Sequence, residues 1–93
     1  MSLTAEETAE LINETVPTIE QERGRRNTRF QLSLVSISKI CKRNIVDTVF
    51  LNNLASELLN MGWCMFQVEN TRWGFIKKKS VESWVKFSNK RFV

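Results

Sequence analysis

Leu51-Asn-Asn-Leu-Ala-Ser-Glu-Leu-Leu-Asn-Met-Gly-Trp63 is the stretch on which the fold turns. Leu51, Leu54, Ala55, Leu58 and Leu59 keep the i, i+3, i+4, i+7, i+8 spacing of a helix with one apolar face. Asp47 stands where an N-cap belongs and Gly62 where a glycine ends a helix, so the spacing predicts a helix over 48–61. Its other face carries Asn52, Asn53, Ser56, Glu57 and Asn60, which are polar and include no base. Beyond Gly62 the period changes. Trp63-Cys64-Met65-Phe66-Gln67-Val68 and Trp73-Gly74-Phe75-Ile76 are aromatic-rich runs separated by Glu69-Asn70-Thr71-Arg72, a pattern that predicts a β-hairpin.

Upstream, the signals are more mixed. Phe30, Leu34, Ile37 and Cys41 make a helical stripe, while Phe30-Gln31-Leu32-Ser33-Leu34 alternates like a strand. The expectation is a short strand or turn at about 30–35 and a short helix at about 36–43, capped by Ser36 or Ser38. At the amino end, Thr4 and Glu7 form a capping-box pair, and Ala5, Ala9, Ile12 and Val16 recur at helical spacing. Pro17 discourages continuation of that helix through Val16. The helix either docks on the body through Leu11, Ile12 and Val16 or stands off as a loosely held arm, and composition does not choose. Residues 18–28 read as a short helix or turn entering a basic loop, with Gly24 and Asn27 as breakers. After Lys77-Lys78-Lys79, Ser80 is placed to cap a last segment in which Val81, Trp84, Val85 and Phe92 fit helical spacing, a final strand being the alternative. The expected fold class is therefore α+β: a small single domain with helices followed by a β-hairpin, divided into an acidic helical arm over 1–22 and a basic body over 23–93.

Charge is sorted along the chain. Glu6, Glu7, Glu10, Glu14, Glu20 and Glu22 precede every Lys and Arg, and all fourteen bases follow, opposed only by Asp47, Glu57, Glu69 and Glu82. A basic body with an acidic leader points to a polyanion-binding surface, or to an acidic arm that folds back or recruits a basic partner. Arg23-Gly24-Arg25-Arg26-Asn27-Thr28-Arg29 holds the densest arginine cluster, and the planar guanidinium suits phosphate. The alternative is a solvated loop partly neutralised by Glu20 and Glu22.

Composition also narrows the chemistry. With no histidine, no Gly-rich phosphate loop among three glycines and only Cys41 and Cys64, the sequence offers no imidazole base, no activated thiol and no customary zinc set. No enzyme activity, cofactor or metal is expected; a Glu57–Glu69 carboxylate pair is the one formal catalytic alternative. The two cysteines read as small buried hydrophobes rather than a disulfide. No apolar run approaches the roughly 18 residues that cross a bilayer, and the start of the chain is acidic and polar, so a cytoplasmic protein is expected.

The order helix, short strand, short helix, longer helix, β-hairpin over about residues 30–79 resembles the winged helix-turn-helix arrangement, on the run Leu51 to Trp63 entering the hairpin. The resemblance implies DNA binding, with Asn52, Asn53, Ser56 and Asn60 facing a groove and Lys77, Lys78 and Lys79 on phosphate beside the wing. Asparagine pairs bidentately with adenine, whereas the absence of Arg or Lys on that helix departs from the pattern. Charge neutralisation would fall to Arg25, Arg26, Arg29, Lys42, Arg43 and Lys77–Lys79, with Lys39 nearby, and Arg72 at the hairpin tip could enter a minor groove. Trp63, Phe66, Trp73 and Phe75 offer either a stacking platform for single strands or, as a domain this small requires of most of its aromatics, core. The expected function is a non-catalytic nucleic-acid binder, duplex DNA favoured, in regulation or genome transactions. The rival is a protein-binding module, such as a phage or mobile-element protein that docks on a host complex. A third possibility is that copies pair through the acidic helix of one and the basic face of another.

Overall fold

The Asp47 carboxylate accepts the Phe50 N–H at 2.8 Å and starts a helix over Thr48–Asn60, while Gly62 takes a φ of 91° just beyond it. In the computed structural model, which describes residues 1–92, the elements follow as α1 (Ala5–Arg23), β1 (Arg29–Ser33), α2 (Leu34–Cys41), α3 (Thr48–Asn60), β2 (Trp63–Glu69), β3 (Arg72–Lys77) and α4 (Lys78–Glu82), with a 3-10 turn at Asn89–Arg91. The chain is thus α+β, with three helices preceding the hairpin. β1 joins the hairpin to make a three-stranded antiparallel sheet in the order β1-β3-β2. Among the described residues no helix is long and apolar enough to cross a membrane.

α1 corrects the expectation of a stop at Pro17. It runs 19 residues with Pro17 inside and ends at Gly24, whose φ of 69° closes it. Pro17 has no N–H, so the Asn13 carbonyl lacks its i+4 donor. Packing outweighs that loss. Ala9, Ile12 and Val16 are buried in one cluster with Ile37, Leu54 and Leu58, and Thr8 is buried too, while Pro17 itself lies on the exposed side. The helix is therefore docked, through Ala9, Ile12 and Val16 and without Leu11, which is exposed. The Thr4–Glu7 capping box forms as the sequence predicts.

The next two elements shift by one to two residues. β1 occupies 29–33, and α2 starts at Leu34, capped by Ser33 rather than Ser36 or Ser38, because the Ser33 hydroxyl accepts the Ser36 N–H at 3.1 Å. On α3 the buried positions are Phe50, Leu54 and Leu58, each one helical repeat of four from the next. Leu59, counted with the core face in the sequence, is 47% exposed; a helical step of about 100° turns it away from Leu58. Ser80 lies inside α4, which begins at Lys78 with no side-chain cap and ends at Glu82; beyond it, among the described residues, there is a 3-10 turn but neither a long last helix nor a final strand, and Trp84, Val85 and Phe92 are exposed.

Cross-strand register sorts the sheet faces. Phe30 pairs with Phe75 and Leu32 with Trp73 across β1 and β3, and Met65 pairs with Phe75 across β2 and β3. These residues, with Trp63, form the face against the helices. Phe30 stacks on Phe75 with ring centres 4.7 Å apart and meets Trp63 edge-on at 5.2 Å. The outer face holds the pairs Cys64–Ile76 and Phe66–Gly74 and the residues Arg29 and Gln31. Cys41 is buried and Cys64 half-buried, both as free thiols.

Candidate nucleic-acid interface

Antiparallel pairing of β1 with β3 brings two basic segments of the sequence together. Arg29 is opposite Ile76, and the Lys77 N–H donates to the Thr28 carbonyl at 2.9 Å. The loop carrying Arg25 and Arg26 and the run Lys77-Lys78-Lys79 therefore leave the sheet at one end. Gly24 turns the chain out of α1, and the Arg25 N–H donates to the Glu20 carbonyl. One oxygen of the Glu20 carboxylate accepts the Asn27 N–H at 2.7 Å, so that acid braces the loop backbone. Among the described residues the ion pairs are Arg72–Glu69 and Lys78–Glu82. Arg25, Arg26, Arg29, Lys77 and Lys79 have no carboxylate within 4.0 Å among those residues, and all but half-buried Lys77 are exposed. The Lys77 ammonium lies over the Trp63 ring, 5.7 Å from its centre.

The other candidates lie elsewhere. Arg72 is at the far end of the sheet beside the two-residue turn Asn70-Thr71, where its Nε donates to Glu69 at 2.5 Å and a second nitrogen reaches Gln31 at 3.5 Å. That hydrogen bond, and after it the Glu69 charge, raises the Arg72 pKa above its ordinary value and occupies one edge of the guanidinium. Lys42 and Arg43 follow α2. Lys42 takes a φ of 57° as the exposed C-cap, while the Arg43 Nε donates to the Leu3 carbonyl at 2.9 Å and its guanidinium covers the Phe50 ring at 4.4 Å. Arg43 thus ties the amino-terminal segment to α3. Asn52, Asn53, Ser56 and Asn60 are exposed on α3, as the spacing predicts. Their face is less polar than the sequence suggested, because Leu59 and Val49, the latter 67% exposed, share it.

Of the four aromatics that could have formed a stacking platform, Trp63, Trp73 and Phe75 are in the core, and Phe66 alone is open to solvent at 51%. Base stacking on the first three is therefore blocked.

Sequence reasoning missed two features. One is the meeting of 25–29 with 77–79, which depends on strand register; the only hint was that each basic run abuts a strand. The other is an apolar groove of about 1050 Å³ between α1 and the β1 edge, with Leu11, Thr15 and Ile19 on one wall and Phe30 and Leu32 on the other, continuing past the edge to Phe66. Leu11 and Ile19 carried its signal as apolar residues off the buried stripe. Comparison with known protein families, with curated proteins and with solved structures finds no match to this chain.

Proposed function

We propose that the chain is a small, non-catalytic, cytoplasmic nucleic-acid-binding protein of winged-helix type that engages duplex DNA in a regulatory or accessory role. The observation that carries this reading is the convergence of Arg25, Arg26 and Arg29 with Lys77, Lys78 and Lys79 at one end of the sheet, with carboxylate relief only at Lys78 among the described residues. Each phosphate neutralised by such a group releases condensed counterions, a gain that does not depend on base sequence. The order α1-β1-α2-α3-β2-β3 with sheet order β1-β3-β2 supports the winged-helix comparison, α2 and α3 being the helix pair and β2–β3 the wing. Burial of three of the four aromatics favours duplex over single strand.

The division of labour departs from the usual one. α3 offers Asn52, Asn53 and Ser56 for base edges but no cation, so phosphate binding falls mainly to the basic sheet end and affinity is largely independent of sequence. The experiment is a titration of labelled random duplex and single strand at about 50 mM and about 200 mM salt, over which four phosphate contacts weaken binding by roughly a hundredfold. Salt-steep binding that prefers duplex is the expected result. No binding at the lower salt ends the proposal and favours a second reading, a protein-binding module of the phage or mobile-element kind. That reading has its own observation: Val35, Ile45 and Val49 are widely exposed on and between α2 and α3, and apolar side chains there suit a protein surface better than a phosphate backbone.

A further inference from the structure

β1 is an edge strand, and its hydrogen-bond parity shows which backbone groups are unsatisfied. The Lys77 N–H donates to the Thr28 carbonyl and the Leu34 N–H to the Thr71 carbonyl. In an antiparallel ladder, bonded pairs alternate. Phe30 and Leu32 therefore direct their N–H and C=O groups at β3, while Arg29 and Gln31 direct theirs away from the sheet, as does the Ser33 N–H; the Ser33 carbonyl belongs to the first turn of α2, which Ser33 caps. Among the described residues β1 pairs with β3 alone. An open edge of this kind is a template for another strand.

The groove beside that edge is apolar, and Arg23 and Arg29 are the charged residues among those that line it. Both lie toward the end where α1 stops and β1 starts, with Arg25 and Arg26 in the connection between them. Toward the other end of α1 lie Glu7, Glu10 and Glu14, all exposed on the helix surface. The groove is thus basic at one end, and α1, which forms one of its walls, carries its acids in the half that leads away from that end.

We infer that a second copy of this chain occupies the edge, with two β1 strands pairing antiparallel about a two-fold axis at Gln31. The arrangement is self-complementary in three respects. The Arg29 carbonyl meets the Ser33 N–H of the other copy, and the N–H and C=O of Gln31 meet their own equivalents, giving four hydrogen bonds across the axis. Phe30 and Leu32 of each copy adjoin those of the other on the helix-facing side, extending the apolar groove across the axis. Antiparallel pairing sets the basic end of each copy toward the acidic half of the other's α1, a match that the charge sorting along the sequence creates and that a parallel arrangement would undo. Lys77–Lys79 stay outside the junction, since with Asn13, Pro17 and Glu20 they line a separate depression on the other shoulder of α1. The pairing thus leaves Lys77–Lys79 open, while Arg25, Arg26 and Arg29, which the nucleic-acid reading also uses, turn toward the other copy; its test contains no nucleic acid and is decided without that reading.

The test is sedimentation of the full chain and two variants. Wild type is expected as a dimer at about 50 mM salt and to weaken on the order of tenfold at about 500 mM, where the Debye length falls to a few ångströms. Gln31→Pro removes an outward N–H without touching a ladder bond, a change edge strands tolerate; it should be monomeric at both salts with an unchanged circular dichroism spectrum. Gln31→Cys in a Cys64→Ser background should form a disulfide-linked dimer on mild oxidation at low salt. A monomeric wild type at the lower salt overturns the inference, as does a folded Gln31→Pro protein that still dimerises. Should Gln31→Pro not fold, the cysteine variant decides, and failure to cross-link overturns the inference equally.

Discussion

A Cβ at Gly74 would stand 2.4 Å from Cζ of Phe66 and 2.6 Å from its Cε2, so the Phe66 ring lies directly on the bare backbone of the central strand. Glycine alone leaves room for that contact, which covers the outer face of β3 where no helix does. The neighbour that must yield is the far end of one half-exposed side chain, so Gly74→Ala is expected to displace the ring at a small net cost, under about 1 kcal/mol. In a Phe66→Ala background the same change should be neutral or stabilising, since alanine restricts the unfolded chain more than glycine; a double-mutant cycle by urea unfolding measures the difference. A second residue-scale prediction concerns Glu7. Its carboxylate accepts the Thr4 N–H at 3.0 Å, and that backbone bond first, with the nearby Thr4 hydroxyl second, lowers the Glu7 pKa, while the Glu7 N–H donates to the same hydroxyl and completes the box. A carboxyl whose pKa is lower folded than unfolded stabilises the fold above its unfolded pKa, and that contribution is lost as pH falls through the folded value. Wild type should therefore exceed Glu7→Ala in stability near neutral pH, and the gap should narrow on acidification through the carboxylate range. The capping box was legible because it is a local pattern spanning a single turn. The Phe66–Gly74 contact was not, because it depends on register.

At the scale of elements, α3 and the hairpin were legible and the end of α1 was not. Asp47, the leucine spacing and Gly62 agree with one another, and each acts within a few residues. Pro17 is a local signal that the tertiary structure overrides: Trp63, fifty residues away, helps hold the middle of α1, its indole N–H donating to the Asn13 side-chain oxygen at 3.1 Å. Trp63 is 3% exposed, so removal of the acceptor would leave that donor buried without a partner. Asn13→Leu is expected to cost about 1–3 kcal/mol of stability by urea or thermal unfolding. An unchanged midpoint would show that another acceptor, or water, takes the N–H. The same long-range logic explains α2. Its Ser33 cap is itself the last residue of β1, and the competing serines at 36 and 38 carry the same local chemistry. Only the sheet fixes which of them ends the strand.

At the scale of the molecule, the charge sorting so evident in the sequence acquires a geometry that the sequence does not contain. The acidic leader is not a separable arm, since Ala9, Ile12 and Val16 lie in the same core as Leu54 and Phe75; removing it would expose that core rather than unmask a surface. The residues that composition and resemblance singled out divide among three places: the basic sheet end, the hairpin tip, and the α2–α3 surface, where Arg43 has structural contacts instead of a free charge. The nucleic-acid surface proposed above is the first of these. Its most direct test is the salt dependence of duplex binding for Lys77→Ala/Lys78→Ala/Lys79→Ala beside wild type. If these lysines touch phosphate, the slope of log affinity against log salt falls by nearly one unit for each phosphate no longer neutralised, about two to three in all. A folded variant that binds duplex with the wild-type slope would contradict the assignment of the basic sheet end as the nucleic-acid surface.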